Sequence, residues 1–402
     1  MNNFIKYTTY SLLLLMSTFM VYSCTEEITG PDVLAEKDGP AVIDYVRITD
    51  PTVSDSLLDG AFLGSLIAII GDNLGDTREL WFNDQKALLN PTYITDKTIL
   101  VNVPTTVPTE VTNEMRLVFS DKSELKYPFK VNVPAPNIDG IKSEFVPAGG
   151  IAEIYGDFFF EPLEVEFVGG VKGKNISIEK TKLRIEVPEG AKPGKIKVKT
   201  NFGTRESGFY FRDDRNIILN FDDKKCETWT AAYSDANGLM AGVQPVDGVY
   251  AYFSKDNHGA WSWQNGMTMQ YWAPRGRGNV PVARGLVNDL VFKMEVNVPV
   301  EWTGVRMEIF PAPFGESEGR GSAKSGIYRW APFTDGPYKT DGWVTVEFPL
   351  SEFVHNTDND EPTRKIENIS ELANFTMMSF GPADGEHNIK IAFDNIRIVP
   401  KS

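Results

Sequence analysis

The sequence predicts an all-β protein made of three sandwiches, two small ones in tandem and a larger one after them. Short alternating apolar runs bounded by Gly, Pro, Asn and Asp recur along the chain, which is the spacing of sandwiches rather than of α/β units. No amphipathic helical stretch of sufficient length competes with them. Aromatic residues then separate the last part from the rest: of 8 tryptophans only Trp81 precedes Trp229.

The chain opens with Lys6 and an apolar run, Leu12 to Val21, that is too short to span a bilayer comfortably, followed by Ser23 and Cys24. That layout is a cleaved leader. With a cysteine at the cut it resembles a bacterial lipoprotein signal, which implies lipidation of Cys24, and the acidic Glu26-Glu27 behind it resembles the surface-export signal of lipoproteins in the Bacteroides group. An ordinary leader with a chance cysteine is the alternative. Residues 1–23 are read as leader and 24–40 as a flexible tether. If Cys24 carries lipid, Cys226 is a lone thiol and no internal disulfide can form.

An internal repeat sets the first two sandwiches at 41–134 and 135–212, each near the size of an immunoglobulin-like domain. Ile69-Ile70-Gly71-Asp72-Asn73 in the first copy answers Ile154-Tyr155-Gly156-Asp157-Phe158 in the second. Likewise Ile99-Leu100-Val101-Asn102-Val103-Pro104 answers Leu183-Arg184-Ile185-Glu186-Val187-Pro188. The glycines are expected at turns that need positive φ, and the prolines end strands where no further ladder donor is wanted. Strand, Gly-Asp turn, strand, Val-Pro and terminal hairpin together resemble the IPT/TIG family of immunoglobulin-like domains, although Phe158-Phe159-Phe160 replaces the usual polar turn. Such modules act mostly as spacers. Pro134 and Pro136 predict a stiff link between the two copies.

Residues 213–402 form the third sandwich. Its strands are read at Ile217–Phe221, Val249–Phe253, Leu290–Val298, Val305–Phe310, Gly342–Leu350 and Ile389–Ile398, with the alternation in Leu290–Val298 assigned one solvated face. The ending Phe393-Asp394-Asn395-Ile396-Arg397-Ile398 resembles that of jelly-roll carbohydrate-binding modules, so the fold class is all-β: two IPT/TIG-like sandwiches followed by a larger jelly-roll-like one. The order of leader, modules and aromatic-rich sandwich resembles the surface glycan-binding lipoproteins of Bacteroidetes polysaccharide-utilisation systems. That resemblance implies an outer-membrane, surface-exposed, lipid-anchored protein. It would capture an extracellular polysaccharide, a β-glucan or hemicellulose such as xyloglucan or mixed-linkage glucan, beside a glycan importer and surface hydrolases.

Pyranose rings present apolar C–H faces that stack on indole at little entropic cost, and neighbouring polar side chains then choose among hydroxyl patterns. Trp302 is bracketed by Pro299 and Gly304, and Trp330 shares a strand face with Tyr328 beside Arg329. These four, with Trp272 ahead of Ala273-Pro274, are the expected glycan platform; Trp261 and Trp229 are assigned to the core and its edge, and Trp343 is left out of the site. A formal charge of −15 argues against nucleic acid as a partner and leaves a neutral ligand unpenalised. No catalytic motif is present and His258, His355 and His387 lack metal-ligand spacing, so neither an enzyme nor a metal site is expected. The resemblance to carbohydrate-binding sandwiches raises one exception, a structural calcium near Asp222, Asp223 and Asp394, set against plain turn-capping. The rival function is a structural or protein-interaction lipoprotein, an adhesin or a scaffold of the uptake complex.

Overall fold

The computed structural model describes residues 39–53, 56–262, 268–271, 281–312, 325–356, 361–383 and 385–401. Cys24 and the leader lie outside them, as do Trp263 and Trp272. The chain divides into two compact units, Met1–Val133 and Pro134–Ser402.

In the first unit, the strands Val42–Ile48, Leu66–Asp72 and Thr98–Asn102 form one sheet, and Gln85–Lys86, Thr77–Phe82, Glu114–Phe119 and Glu124–Pro128 form the other. Alternate residues point inward, as the sequence pattern requires: Met115, Leu117 and Phe119 from one sheet meet Val46, Ile67, Ile69 and Ile99 from the other. The second unit begins with a sandwich of the same plan. Asn137–Ile141, Ile151–Asp157, Lys182–Glu186 and Lys174–Glu179 face Val171–Lys172, Leu163–Val168, Lys192–Thr200 and Gly203–Glu206, over a core that includes Ile154, Val165, Phe167, Ile185 and Phe211.

The repeated glycine has a different cause from the one expected. Gly71 and Gly156 are not at positive φ. A Cβ on Gly71 would stand 1.9 Å from the Val42 carbonyl oxygen, and one on Gly156 2.0 Å from that of Asn137. Each glycine lets the neighbouring strand bulge against it, between Ile43 and Tyr45 in the first copy and Ile138 and Gly140 in the second. The positive φ falls two residues later, at Asn73 and Phe158.

The larger sandwich packs a six-stranded sheet against a five-stranded one, with antiparallel pairing throughout. The first carries Ala232–Tyr233, Ala251–Gly259, Glu386–Pro400, Leu290–Asn297 and Val344–Pro349, with Ile217–Leu219 alongside Glu386–Pro400. The second runs Glu227–Thr228, Thr268–Tyr271, Asn374–Phe380, Arg306–Ala312, Tyr328–Trp330. Phe292, Met294, Val296, Ile391 and Phe393 from one sheet meet Met307, Ile309, Phe375 and Met377 from the other.

The outer face of Leu290–Asn297 is not solvated. Lys293, Glu295 and Asn297 are buried, because the loop Lys142–Phe145 of the preceding sandwich closes over them. Lys293 Nζ lies 2.8 Å from Glu144 Oε1 and 2.6 Å from Glu347 Oε1, and Arg397 Nη2 lies 2.7 Å from Glu144 Oε2 and 2.9 Å from Glu295 Oε1. Ser143 and Thr345 each donate to Glu295 at 2.8 Å, and the Glu144 N–H donates to Thr345 Oγ1 at 2.7 Å. Two carboxylates and two cations removed from water are thus held by one another and by hydroxyls, which is the condition for tolerating buried charge. Burial still pushes the Glu295 carboxyl up, against the pull of Arg397.

Candidate glycan-binding site

The four expected platform residues that the structure describes do not form a surface. Trp302 is 0% exposed, its ring meets Trp330 edge-on with centroids 4.9 Å apart, and its indole N–H donates to the Val305 carbonyl at 2.5 Å. Trp330, at 7% exposure, also packs against Tyr338 and Phe348. Tyr328 is half-buried and stacks on Phe348 at 4.3 Å. Arg329 is engaged by the buried Glu308, Nε to Oε1 at 3.0 Å, and donates to the Asn356 carbonyl at 2.8 Å. An indole with no free face cannot stack on a sugar, so the exposure expected of Trp302 and Trp330 is corrected: both belong to the core. The reason is a β-bridge between Trp302 and Tyr338, which folds the Pro299–Gly304 bend back over the end of the sandwich instead of leaving it as an open loop.

Among the described residues two other tryptophans are exposed, against the expectation that places them in the core and at its edge. Trp229 is 59% and Trp261 72% exposed. The register places them at one end of the sandwich. Thr228 pairs with Met269, so Trp229 lies beyond it, level with Thr268, which pairs with Met378. The Trp261 N–H donates to the Pro382 carbonyl at 3.0 Å, just past the end of that same strand, Asn374–Phe380. Trp261 also has φ 57°. The left-handed region is rare for a bulky side chain and costs about 1–3 kcal/mol, a strain that concentrates at functional positions. That backbone turn breaks the alternation expected to pair Trp261 with Trp263 on an inward face.

Polar groups adjoin this end. Asn257, itself at φ 54°, takes Asn388 Oδ1 as acceptor for its N–H at 3.0 Å. Below it, His258 is buried in cross-strand register with His387, and its Nε2 is 3.3 Å from Ser379 Oγ. Burial holds the His258 imidazole below its ordinary value. As pH falls below about 6.5 the unfolded chain therefore takes up a proton before the native one does, and stability declines toward the depressed native value. The expected result is a lower Tm at about pH 5.5 than at 7.5, with the difference reduced in His258→Gln. An undiminished difference in that variant refutes the assignment.

A cleft of about 400 Å³ lies elsewhere, between the two sandwiches of the second unit, lined by Lys142, Glu153, Gln244, Asp341 and Trp343 among others. It offers a single half-buried indole, held edge-on to Tyr250 at 5.6 Å with its N–H donated to the Gln244 carbonyl. Trp229 and Trp261 are the tryptophans most open to solvent among the described residues.

A structural calcium needs several oxygen donors converging on one point. Asp223 does not fit: it is exposed and accepts from Asn220 Nδ2 at 2.6 Å. Asp394 fits better, being 0% exposed with its Oδ2 lacking a hydrogen-bond partner. Among the described residues no three His, Cys, Asp or Glu side chains are already gathered around one point.

The third sandwich, with Trp229 and Trp261 exposed, follows two smaller sandwiches of like plan. Residues 211–400 match the family model of the surface glycan-binding protein B xyloglucan binding domain. The chain is 22% identical to an IPT/TIG domain-containing protein of Bacteroides ovatus over 97% of each. Among solved structures it is similar to the surface glycan-binding protein PbSGBP-B of Prevotella bryantii, with 25% identity and a TM-score of 0.63 over 91% of this chain and 100% of that one. It shares its fold with SGBP-B from a complex xyloglucan utilization locus in Bacteroides uniformis, with 19% identity and a TM-score of 0.52 over 90% of this chain and 100% of that one. These matches bear out the resemblance to surface glycan-binding proteins and the all-β, IPT/TIG-bearing fold class.

Proposed function

We propose that this protein is a non-catalytic surface lipoprotein that captures xyloglucan, or a closely related β-glucan, on the indoles of Trp229 and Trp261. The two exposed tryptophans at one end of a sandwich matched to xyloglucan-binding domains carry that reading. In it, Cys24 is lipidated, 24–40 is the tether to the outer membrane, 41–134 and 135–212 hold the third sandwich away from the cell, and 213–402 binds. The captured chain is handed to a glycan importer and cut by separate surface hydrolases. Trp272, which lies outside the described residues, remains part of the proposed platform. Binding by stacking needs no titrating nucleophile, and a neutral glycan meets no barrier from the chain's acidic charge.

The test is native affinity electrophoresis of the full mature chain in gels containing xyloglucan, mixed-linkage glucan, galactomannan, laminarin or xylan. Xyloglucan is expected to retard it, and Trp229→Ala with Trp261→Ala to weaken that retardation about tenfold or more, ~1.4 kcal/mol, at unchanged Tm. A folded double variant retarded as before places the site elsewhere. No retardation by any of the five would favour the adhesin or scaffold reading.

A further inference from the structure

The cleft of about 400 Å³ between the second and third sandwiches holds a buried polar group that the fold itself does not use. Asn297, at the end of the strand Leu290–Asn297, is 5% exposed and lines that cleft. Among the described residues its side-chain amide has no hydrogen-bond partner. A buried amide is normally paired with protein, water or ligand, and this one has two donor hydrogens and an acceptor oxygen to offer.

The walls around it are partly apolar and firmly held. Half-buried Trp343 from one sandwich and exposed Ile151 from the other supply apolar surface. The Trp343 indole is fixed by its N–H, donated to the Gln244 carbonyl at 2.7 Å, and by Tyr250, whose own hydroxyl donates to the Val243 carbonyl at 3.0 Å. Beside the cleft the Thr345 N–H donates to the Lys142 carbonyl at 2.9 Å, which with the buried charges of Glu144, Lys293 and Arg397 ties the two sandwiches together. The ionic groups cancel locally. Lys142 Nζ lies 3.2 Å from Asp341 Oδ2, and Lys182 Nζ lies 2.8 Å from Glu153 Oε2. The Lys182 ammonium holds the Glu153 carboxyl below its usual range, so it accepts from hydroxyl donors at neutral pH. A charged ligand finds no unmatched partner here, whereas a neutral polyol finds an amide, a carboxylate and apolar surface.

Resting on the reading of this protein as a glycan binder, we propose that the cleft is a second glycan subsite. It takes one neutral pyranose residue, with a C–H face on Trp343 and Ile151 and hydroxyls on Asn297 and Glu153. A pre-formed cleft at a domain junction, with a few polar groups set among apolar ones, is the usual form of a small-ligand site. Tyr250, against which Trp343 packs, precedes the strand Ala251–Gly259, and Trp261 follows it. At about 3.3 Å per residue, that strand of 9 residues separates the two sites by on the order of 30 Å. A polysaccharide that reaches both gains from simultaneous attachment without any new contact, and a short oligosaccharide does not.

The test is isothermal titration calorimetry and saturation-transfer difference NMR of the full mature chain with a xyloglucan oligosaccharide too short to bridge the sites. In Trp229→Ala with Trp261→Ala a weak site for it is expected to remain, and Asn297→Ala added to that pair should abolish it at unchanged Tm. If Asn297→Ala lowers Tm, Ile151→Glu, at an exposed position, is the variant that should abolish it. With the two tryptophans intact, Asn297→Ala should leave the oligosaccharide affinity of their site unchanged and weaken retardation by polymeric xyloglucan about threefold or more. Residual binding that survives both cleft variants belongs to the tryptophan end and overturns the proposal. No residual binding in the tryptophan pair, with the parent chain still binding, overturns the second site and leaves the proposed function standing. A parent chain that binds neither oligosaccharide nor polymer overturns both together.

Discussion

Glu144→Ala is expected to destabilise the second unit by about 3–5 kcal/mol, the cost of leaving buried charge without its partner. Glu144 belongs to the second sandwich, yet both its oxygens are spent on the third, one on Lys293 and one on Arg397. Removing it leaves two buried cations with reduced compensation: Lys293 keeps only the half-exposed Glu347, and Arg397 keeps Glu295. Phe145, whose ring centroid is 4.9 Å from the Arg397 guanidinium, still packs against that side chain. Glu144→Gln retains an oxygen and a donor but not the charge, so it should cost less than the alanine. Urea denaturation followed by tryptophan fluorescence reads both, since seven of the eight tryptophans lie in this unit: all but Trp81. A loss below about 1 kcal/mol for Glu144→Ala would show that the interface relaxes and hydrates, and that the network carries little net stability.

The same network explains what the sequence could and could not reveal. Alternation in Leu290–Asn297 correctly separates Phe292, Met294 and Val296 from Lys293 and Glu295. It says which residues share a face and nothing about what covers that face. A charged face is ordinarily solvated, and only the tertiary placement of Lys142–Phe145 overturns that expectation. The strands and the tandem repeat were legible because period two and the Gly-Asp turn are local signals. Even there, the glycine's purpose was a close approach to a bulged neighbour, which involves residues some 20–30 positions away. The burial of the tryptophans departs from the sequence expectation in both directions for a related reason. Pro and Gly around Trp302 mark a bend correctly, but a bend can fold inward, as the Tyr338 bridge makes this one do. Trp261 and Trp263 look like a strand pair, and one left-handed residue between the strand Ala251–Gly259 and the next turns the first indole out to solvent.

Trp302→Ala should therefore act on folding and not on glycan recognition. The indole fills the centre of an aromatic cluster with Trp330, Phe333 and Tyr338, all with ring centroids within 6.2 Å of it. Its N–H satisfies the Val305 carbonyl at the start of the strand Arg306–Ala312. Truncation to alanine loses the buried ring, leaves a cavity that the surrounding rings cannot fully collapse into, and strips that carbonyl of its donor; roughly 3–5 kcal/mol is expected from the cavity and transfer loss. Trp302→Phe should recover part of this, since it restores ring packing but not the hydrogen bond. The decisive comparison pairs stability with binding. Trp302→Ala should lower Tm by several degrees while its folded fraction is still retarded by xyloglucan, whereas Trp229→Ala with Trp261→Ala should do the reverse. Loss of retardation in Trp302→Ala at a Tm equal to the parent's would mean that the indole opens to ligand after all, and would return the site to the Trp302–Trp330 pair.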